Sequence, residues 1–171
     1  MKELYSGLIN TPLGLLEAVT DDRYLYKLQF VDREFVAQEK FFFAQNSGVN
    51  DNAGNGAVFE QIKHELALYF AGKLRAFITP VFLTGSDFRK AVLRAVYSIA
   101  YGETVSYKAI AQTIGYSQAY RAVGNTNKAN ELVIIVPCHR VIKSDGELGG
   151  YSAGLERKKL LLALESGAYE N

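Results

Sequence analysis

Residues 106–123 read Ser106-Tyr107-Lys108-Ala109-Ile110-Ala111-Gln112-Thr113-Ile114-Gly115-Tyr116-Ser117-Gln118-Ala119-Tyr120-Arg121-Ala122-Val123. Ile110 and Ile114 lie four apart on the inner side of a short amphipathic helix, and Gly115 breaks it. Ser117 is placed to cap a second helix that runs through Val123. Helix, short glycine turn, helix is the helix-turn-helix pattern, which two packed helices with no DNA partner also produce. Ala119 and Ala122 give the second helix small side chains on its exposed face, which lets it sit close to a partner.

Upstream, Thr84-Gly85-Ser86-Asp87 marks a boundary. Ser86 caps a helix lined on one side by Phe88, Val92, Ala95, Val96 and Ile99. The chain before it has a different character. Leu13 to Val19 and the alternating Tyr24 to Phe30, joined through Thr20-Asp21-Asp22-Arg23, predict an antiparallel hairpin within a strand-rich segment, residues 1–45. Asn46 to Gly56 is a surface loop. Val58, Ile62, Leu66, Tyr69 and Phe70 then share one helical face, and Gly72 stops the helix. Ala76 to Leu83 reads as a strand interrupted by Pro80, at an edge. The pattern predicts two domains, 1–84 and 85–171.

Composition sets the outer bounds. With 171 residues, 49% hydrophobic and 22% charged, the chain is ordinary globular material, which excludes global disorder and a collagen-like repeat. The net charge of +1 predicts no partner, but its distribution does. Residues 1–87 carry 8 basic and 11 acidic side chains, a balance of −3, whereas residues 88–143 carry 8 and 2, a balance of +6. A basic block around a helix-turn-helix is a nucleic-acid footprint. One cysteine excludes an internal disulfide or a thiolate zinc cluster and fits a reducing compartment. With only two histidines besides, no metal is expected. No apolar run reaches membrane-spanning length, and Met1 to Ser6 shows no signal core, so a cytoplasmic location is expected.

The chemistry concentrates in Val133-Ile134-Ile135-Val136-Pro137-Cys138-His139-Arg140-Val141-Ile142. Four branched apolar residues predict a buried run, and Pro137 ends regular pairing. A lone cysteine is more often a small buried hydrophobe than a nucleophile. The reactive form is the thiolate, however, and an imidazole or a cation lowers a thiol pKa. His139 and Arg140 supply both types. Adjacent side chains diverge on extended or helical backbone, so a bridging water is the natural proton carrier between His139 and Cys138. A histidine base also needs an acceptor behind it. Glu165, near the end of the last apolar helix (Leu155 to Leu164), is a candidate, although spacing alone reads it as a solvated helix-end acid. His64 reads as a surface residue. Tyr107, Tyr151 and Ser152 are polar-tipped groups in turn surroundings, each structural when taken alone.

Tyr101-Gly102-Glu103-Thr104-Val105-Ser106-Tyr107, Arg121-Ala122-Val123-Gly124, Asn130, Pro137-Cys138-His139-Arg140 and Gly149-Gly150-Tyr151-Ser152-Ala153-Gly154-Leu155 occur in one order and spacing. Together they closely resemble the O6-alkylguanine-DNA alkyltransferases over residues 84–166, with a weaker match at Thr11-Pro12-Leu13-Gly14. The resemblance implies an α/β (α+β) fold: a small N-terminal ribonuclease-H-like sheet domain, then a helical winged helix-turn-helix domain. It implies DNA repair by a suicide reaction in which Cys138 takes the alkyl group from O6 of guanine, possible also at O4 of thymine, and keeps it. No cofactor is needed.

The resemblance also implies roles. His139 deprotonates Cys138 through a water, Glu165 orients His139, and Asn130 braces the helix-turn-helix against the active-site segment. The partner is double-stranded DNA, bound as a monomer through the minor groove, with the damaged nucleotide flipped out. Arg121, flanked by Ala119 and Ala122, fills the gap in the stack. Tyr107 pushes the target phosphate and donates a proton to the leaving guanine. Tyr151, Ser152 and Ala153 form the pocket wall, and the carbonyls of Cys138 and Val141 accept from the exocyclic amine. The chain departs from the family pattern at Leu93, Ala100, Asn125, Glu131-Leu132-Val133 and Ala153, where tryptophan, proline, glycine, a proline-bearing turn and glycine are common. Ala153 predicts a poorer fit for bulky adducts. A non-catalytic alkylated-DNA lesion sensor is the alternative, and Cys138 argues against it. A cysteine hydrolase would need an oxyanion pocket that no motif specifies. A transcription factor would need sequence-specific binding.

Overall fold

The structure, a computed structural model, describes residues 4–31 and 56–168. The chain divides into two compact units, residues 1–82 and 83–171. Three antiparallel strands in the order β1 (Tyr5–Thr11), β2 (Gly14–Thr20) and β3 (Leu25–Phe30) form the sheet of the first unit. The predicted hairpin is β2–β3, and β1 adds a strand ahead of it. Alternation fits the pleat: Ile9 and Thr11 on β1, and Leu16, Ala18 and Thr20 on β2, are buried. Thr11 closes the β1–β2 turn, its hydroxyl donating to Gly14 O at 2.6 Å.

Helix α1 (Ala57–Phe70) packs on β1 and β2 through a buried face that includes Val58, Ile62, Leu66, Tyr69 and Phe70. Glu65 on that face is also buried. Its carboxylate accepts from the amides of Ile78 and Thr79 at 3.2 Å each and from the Thr79 hydroxyl at 2.9 Å. The chain over residues 76–83 is therefore held by a side chain, not by a ladder, which corrects the predicted strand. A single parallel bridge joins Val81 to Leu25, with Leu25 N donating to Pro80 O and Phe82 N to Leu25 O. Pro80 has no N–H to extend it. The predicted loop over Asn46 to Gly56 lies outside the described residues except for Gly56.

The second unit is helical. Ser86 caps α2 (Asp87–Tyr97), accepting from Arg89 N. The pair α3 (Tyr107–Thr113) and α4 (Tyr120–Lys128) forms the helix-turn-helix, and α2 packs against both. Ser106 caps α3 by accepting from Ala109 N at 3.1 Å. Gly115 takes φ +80°, a conformation natural to glycine. The predicted cap at Ser117 is not formed. Ala119 N bonds back to Tyr116 O at 2.7 Å, so residues 116–119 make a turn and α4 begins at Tyr120 without a side-chain cap. Two short strands, β4 (Val105–Ser106) and β5 (Val141–Ile142), pair in parallel. That pairing brings the start of α3 beside the segment that carries Cys138. Helix α5 (Leu155–Glu165) closes the unit.

Candidate active site

Residues 132–136 are all buried, as expected of an apolar run, but they fold as tight turns rather than as a strand. Val136 N donates to Leu132 O and Ile135 N to Val133 O, both at 2.9 Å. Ile134 sits at φ +72°, a conformation that costs a β-branched residue about 1–3 kcal/mol. Cys138–Arg140 then make one turn of 3-10 helix. This tightening turns three consecutive side chains into the interior, where Cys138, His139 and Arg140 are each buried.

Asn130 holds the thiol. Its Nδ2 donates to Cys138 Sγ at 3.1 Å and to Val136 O at 2.9 Å, and its Oδ1 accepts from Leu132 N at 3.0 Å. Burial pushes the Cys138 pKa up to about 11, against the Asn130 hydrogen bond and the charge of Lys158. The resting group is a thiol, and it needs a base to become a nucleophile.

Glu165 is not a solvated helix-end acid. It is buried and gathers four donors. His139 Nε2 lies 2.8 Å from Oε1, Arg140 donates through Nε at 2.8 Å and Nη2 at 2.9 Å, and Gly102 N donates at 3.3 Å. Burial alone would raise the Glu165 pKa. The hydrogen bonds and charges of His139 and Arg140 outweigh it and hold the carboxyl well below the usual range. An ionised carboxylate only accepts, so His139 Nε2 carries the proton and Nδ1 keeps its lone pair. That Nδ1 is buried and unpartnered. Burial keeps the His139 pKa below 6.5, against the pull of Glu165. The imidazole is therefore neutral near pH 7, with its basic nitrogen unengaged.

Arg140 corrects a sequence expectation. It was expected as a cation acting on the thiol, yet its guanidinium is committed to Glu165 and to Ile99 O at 2.6 Å. The cation that acts on Cys138 is Lys158 on α5. Lys158 is buried, donates to Val141 O at 2.7 Å and to Leu148 O, and has its pKa pulled down by burial to about 8. Sequence reasoning missed it. The usable signal was periodicity, because Lys158, Leu161 and Glu165 fall on one buried helical face.

The remaining expected residues spread over two zones. Tyr107, first residue of α3, is half-buried, with its phenol 3.5 Å from Gly150 O. Gly149, at φ +67°, leaves no room for a side chain there: a Cβ would lie 3.0 Å from the phenol oxygen. Burial raises the Tyr107 pKa, and it raises that of Tyr151, whose hydroxyl is buried without a partner, well above the usual value. Ser152 is exposed and Ala153 half-buried. Val141 is buried, and its carbonyl is held by Lys158. The Cys138 carbonyl already accepts from Asn127 Nδ2 and from Val141 N, so both of its lone pairs are used, whereas the Val141 carbonyl keeps one beside Lys158. On α4, Arg121 and Ala122 are exposed, Ala119 just before it is half-exposed, and Arg121 lies over the Tyr120 ring at 5.7 Å. His64 is exposed in the other unit. Among the described residues no cluster of His, Cys, Asp or Glu is placed to hold a metal ion, and no helix is long and apolar enough to cross a membrane.

A buried thiol thus adjoins in sequence a buried histidine that meets a carboxylate, in the same unit as a helix-turn-helix. Two family models cover nearly the whole chain: the 6-O-methylguanine DNA methyltransferase ribonuclease-like domain at residues 4–83, and its DNA binding domain at residues 87–167. The chain belongs to the O6-methylguanine DNA methyltransferase family. It is 43% identical over 157 residues to a methylated-DNA–protein-cysteine methyltransferase of Mycolicibacterium paratuberculosis, covering 92% of this chain and 89% of that one. It is 37% identical over 170 residues to the Methanosarcina barkeri protein of the same name, covering 95% and 97%. Mycobacterium tuberculosis OGT, solved in complex with DNA, superposes with TM-score 0.79 at 37% identity, covering 94% of this chain and 91% of that one. The protein is thus a DNA-repair alkyltransferase of this family and not a lesion sensor. The two-part α/β architecture expected from the resemblance is the one found.

Proposed function

We propose that the protein removes the alkyl group from O6-alkylguanine in double-stranded DNA by transferring it once, irreversibly, to Cys138 Sγ. The observation that carries this reading is the buried hydrogen bond between Glu165 Oε1 and His139 Nε2, with His139 Nδ1 unengaged and the thiol on the preceding residue. Nδ1 takes a proton from a water, which takes the thiol proton. The resulting thiolate attacks the alkyl carbon on O6, the carbon–oxygen bond breaks, and the Tyr107 phenol protonates the departing guanine. A thioether has no route back to a thiol here, so each molecule acts once and needs no cofactor. Asn130 holds Sγ on the line of attack.

A base inside a duplex is out of reach, so the nucleotide is flipped out, and damage lowers that cost. The exposed, small-faced start of α4 suits close entry into the minor groove, with Arg121 filling the vacated stack and Ala119 and Ala122 against the backbone. Tyr151, Ser152 and Ala153 line the pocket. The base's exocyclic amine then shares or displaces the donors now on the Cys138 and Val141 carbonyls. The protein works as a monomer in the cytoplasm.

Peptide mass spectrometry after incubation with excess O6-methylguanine duplex tests this. One methyl on the Cys138 peptide, stopping at one per protein and absent in Cys138→Ser, is expected. Turnover beyond one, or a methyl elsewhere, refutes it. Duplex affinity should also weaken steeply with salt, because phosphate contacts supply most of it.

A further inference from the structure

Arg140 has no role in the scheme above. It is buried, and it commits its donors to fixed acceptors. Nε donates to Glu165 Oε2 at 2.8 Å and Nη2 to Oε1 at 2.9 Å, a two-pronged grip on the carboxylate. Nη1 donates to Ile99 O at 2.6 Å, and the guanidinium lies 5.8 Å from the centre of the Tyr101 ring. Glu165 Oε1 therefore meets both Arg140 Nη2 and His139 Nε2. An ionised Glu165, a protonated Arg140 and a neutral His139 sum to zero charge. The other titratable groups around this cluster are Cys138 on the same turn, Lys158 on α5, and the phenols of Tyr101 and Tyr151. Lys158, held by Val141 O and Leu148 O, acts on the imidazole in the same direction as Arg140.

We infer that Arg140 is a positioning residue that keeps His139 the neutral base by cancelling the charge of Glu165. The inference rests on the role proposed above for His139. A buried carboxylate with no cation beside it does not stay as it is; it gains a proton or draws one onto a neighbour. The neighbour here is the imidazole, whose Nδ1 is unengaged. The ordinary pKa of a histidine, 6.5, lies above the 4.5 of a glutamate, so the proton goes to Nδ1. The result is an imidazolium–carboxylate pair, and an imidazolium takes no proton from a water or a thiol. With Arg140 in place the carboxylate is already neutralised. It accepts the Nε2 proton and fixes the tautomer without drawing a second proton onto the ring. The two charges act on His139 with opposite sign, Glu165 raising its pKa and Arg140 lowering it. The fork adds direction, because two parallel N–H bonds fix the plane of the carboxylate.

NMR titration of the imidazole rings tests it, with single-turnover transfer on O6-methylguanine duplex as the second readout. The chain has two histidines, and the exposed His64 is the internal reference. In the wild type the His139 ring should stay neutral, with its proton on Nε2, to below pH 6.5. In Arg140→Met its midpoint should rise by about 1–3 pH units while His64 does not move, and the acid limb of transfer should rise with it. Arg140→Lys keeps the charge and loses the fork, so its midpoint should stay near the wild-type value while transfer slows. Arg140→Met combined with Glu165→Gln buries no charge and covers the case in which the single variant does not fold. There the midpoint should return to the wild-type value or below. A midpoint that stays put in Arg140→Met, or rises equally in Arg140→Lys, overturns the proposal, as does one that stays raised in the double variant. A wild-type protein that transfers nothing overturns the reading of Cys138, and the ring titration then decides the coupling of Arg140 to His139 by itself.

Discussion

The two units bury polar groups for different ends. In the sheet unit, Glu65 and Asp21 spend their acceptor oxygens on closure. Glu65 takes the backbone of Ile78 and Thr79. Asp21 takes the amides of Arg23 and Tyr24 and the hydroxyl of Tyr26. Among the described residues of the helical unit, three side-chain polar atoms, Asn127 Oδ1, His139 Nδ1 and Tyr151 Oη, are buried without partners, and all belong to the candidate site. The sheet unit's counterpart among the described residues is Thr20 Oγ1. Unmade hydrogen bonds and a strained Ile134 are costs that a purely structural domain sheds. Their concentration around one thiol marks where stability has yielded to chemistry.

The strongest break of that contrast is Glu165→Ala. It leaves the buried Arg140 guanidinium unpaired, at a cost of about 3–5 kcal/mol in urea unfolding. It also releases the His139 ring, and single-turnover transfer should fall by about 10²–10⁴. A variant that keeps wild-type transfer would show that His139 needs no acceptor behind it. Glu65→Gln is the matched experiment in the other unit. Losing a charged acceptor for four donors should cost about 1.5–3 kcal/mol, with transfer unchanged once folded. If transfer falls too, the division of labour drawn here is wrong.

Methylating Cys138 puts a carbon where Asn130 Nδ2 already sits 3.1 Å from the sulfur. Overpacking of that kind costs about 1–3 kcal/mol, so the melting temperature should drop after complete modification. An unchanged melting temperature would mean that the turn yields without strain. Acid should act on the same cluster. His139 and Glu165 both titrate below their ordinary values of 6.5 and 4.5, so the folded state binds fewer protons than the unfolded one. Their contribution is present above those values and is lost as pH falls through them, first from His139 below about pH 6.5. Thermal melts from pH 8 to 4 should show the loss begin there, and a flat profile between pH 7 and 5 would count against a buried neutral imidazole. The smallest effect expected is Ala153→Gly. One methyl less beside the pocket should raise the benzyl-to-methyl rate ratio several-fold, worth about 1–2 kcal/mol, and no improvement would place Ala153 off the pocket.

Much of this was legible in the chain. The amphipathic spacing of α1, the Ser86 cap and the glycine break at Gly115 are local properties, written in residues a few positions apart. The pairing of Cys138 with His139 was legible for the same reason. The start of α4 was not, because Ser117 has the right chemistry for a cap but a backbone turn at residues 116–119 uses the chain first. The strand expected over residues 76–83 failed because Pro80 and the Glu65 carboxylate, a reach of 13 residues, decide that backbone between them.

What the sequence determined by itself was the candidate thiol, its histidine neighbour and the helix-turn-helix, since composition leaves one cysteine and local pattern frames it. Only the tertiary structure decided the electrostatics. Glu165 and Arg140 are 25 residues apart, and Lys158 and Val141 are 17 apart. Whether Arg140 faces a thiol or a carboxylate depends on which helix face folds against it. Coulomb and hydrogen-bond energies act over a few ångströms of space, so sequence adjacency does not predict them, and packing does.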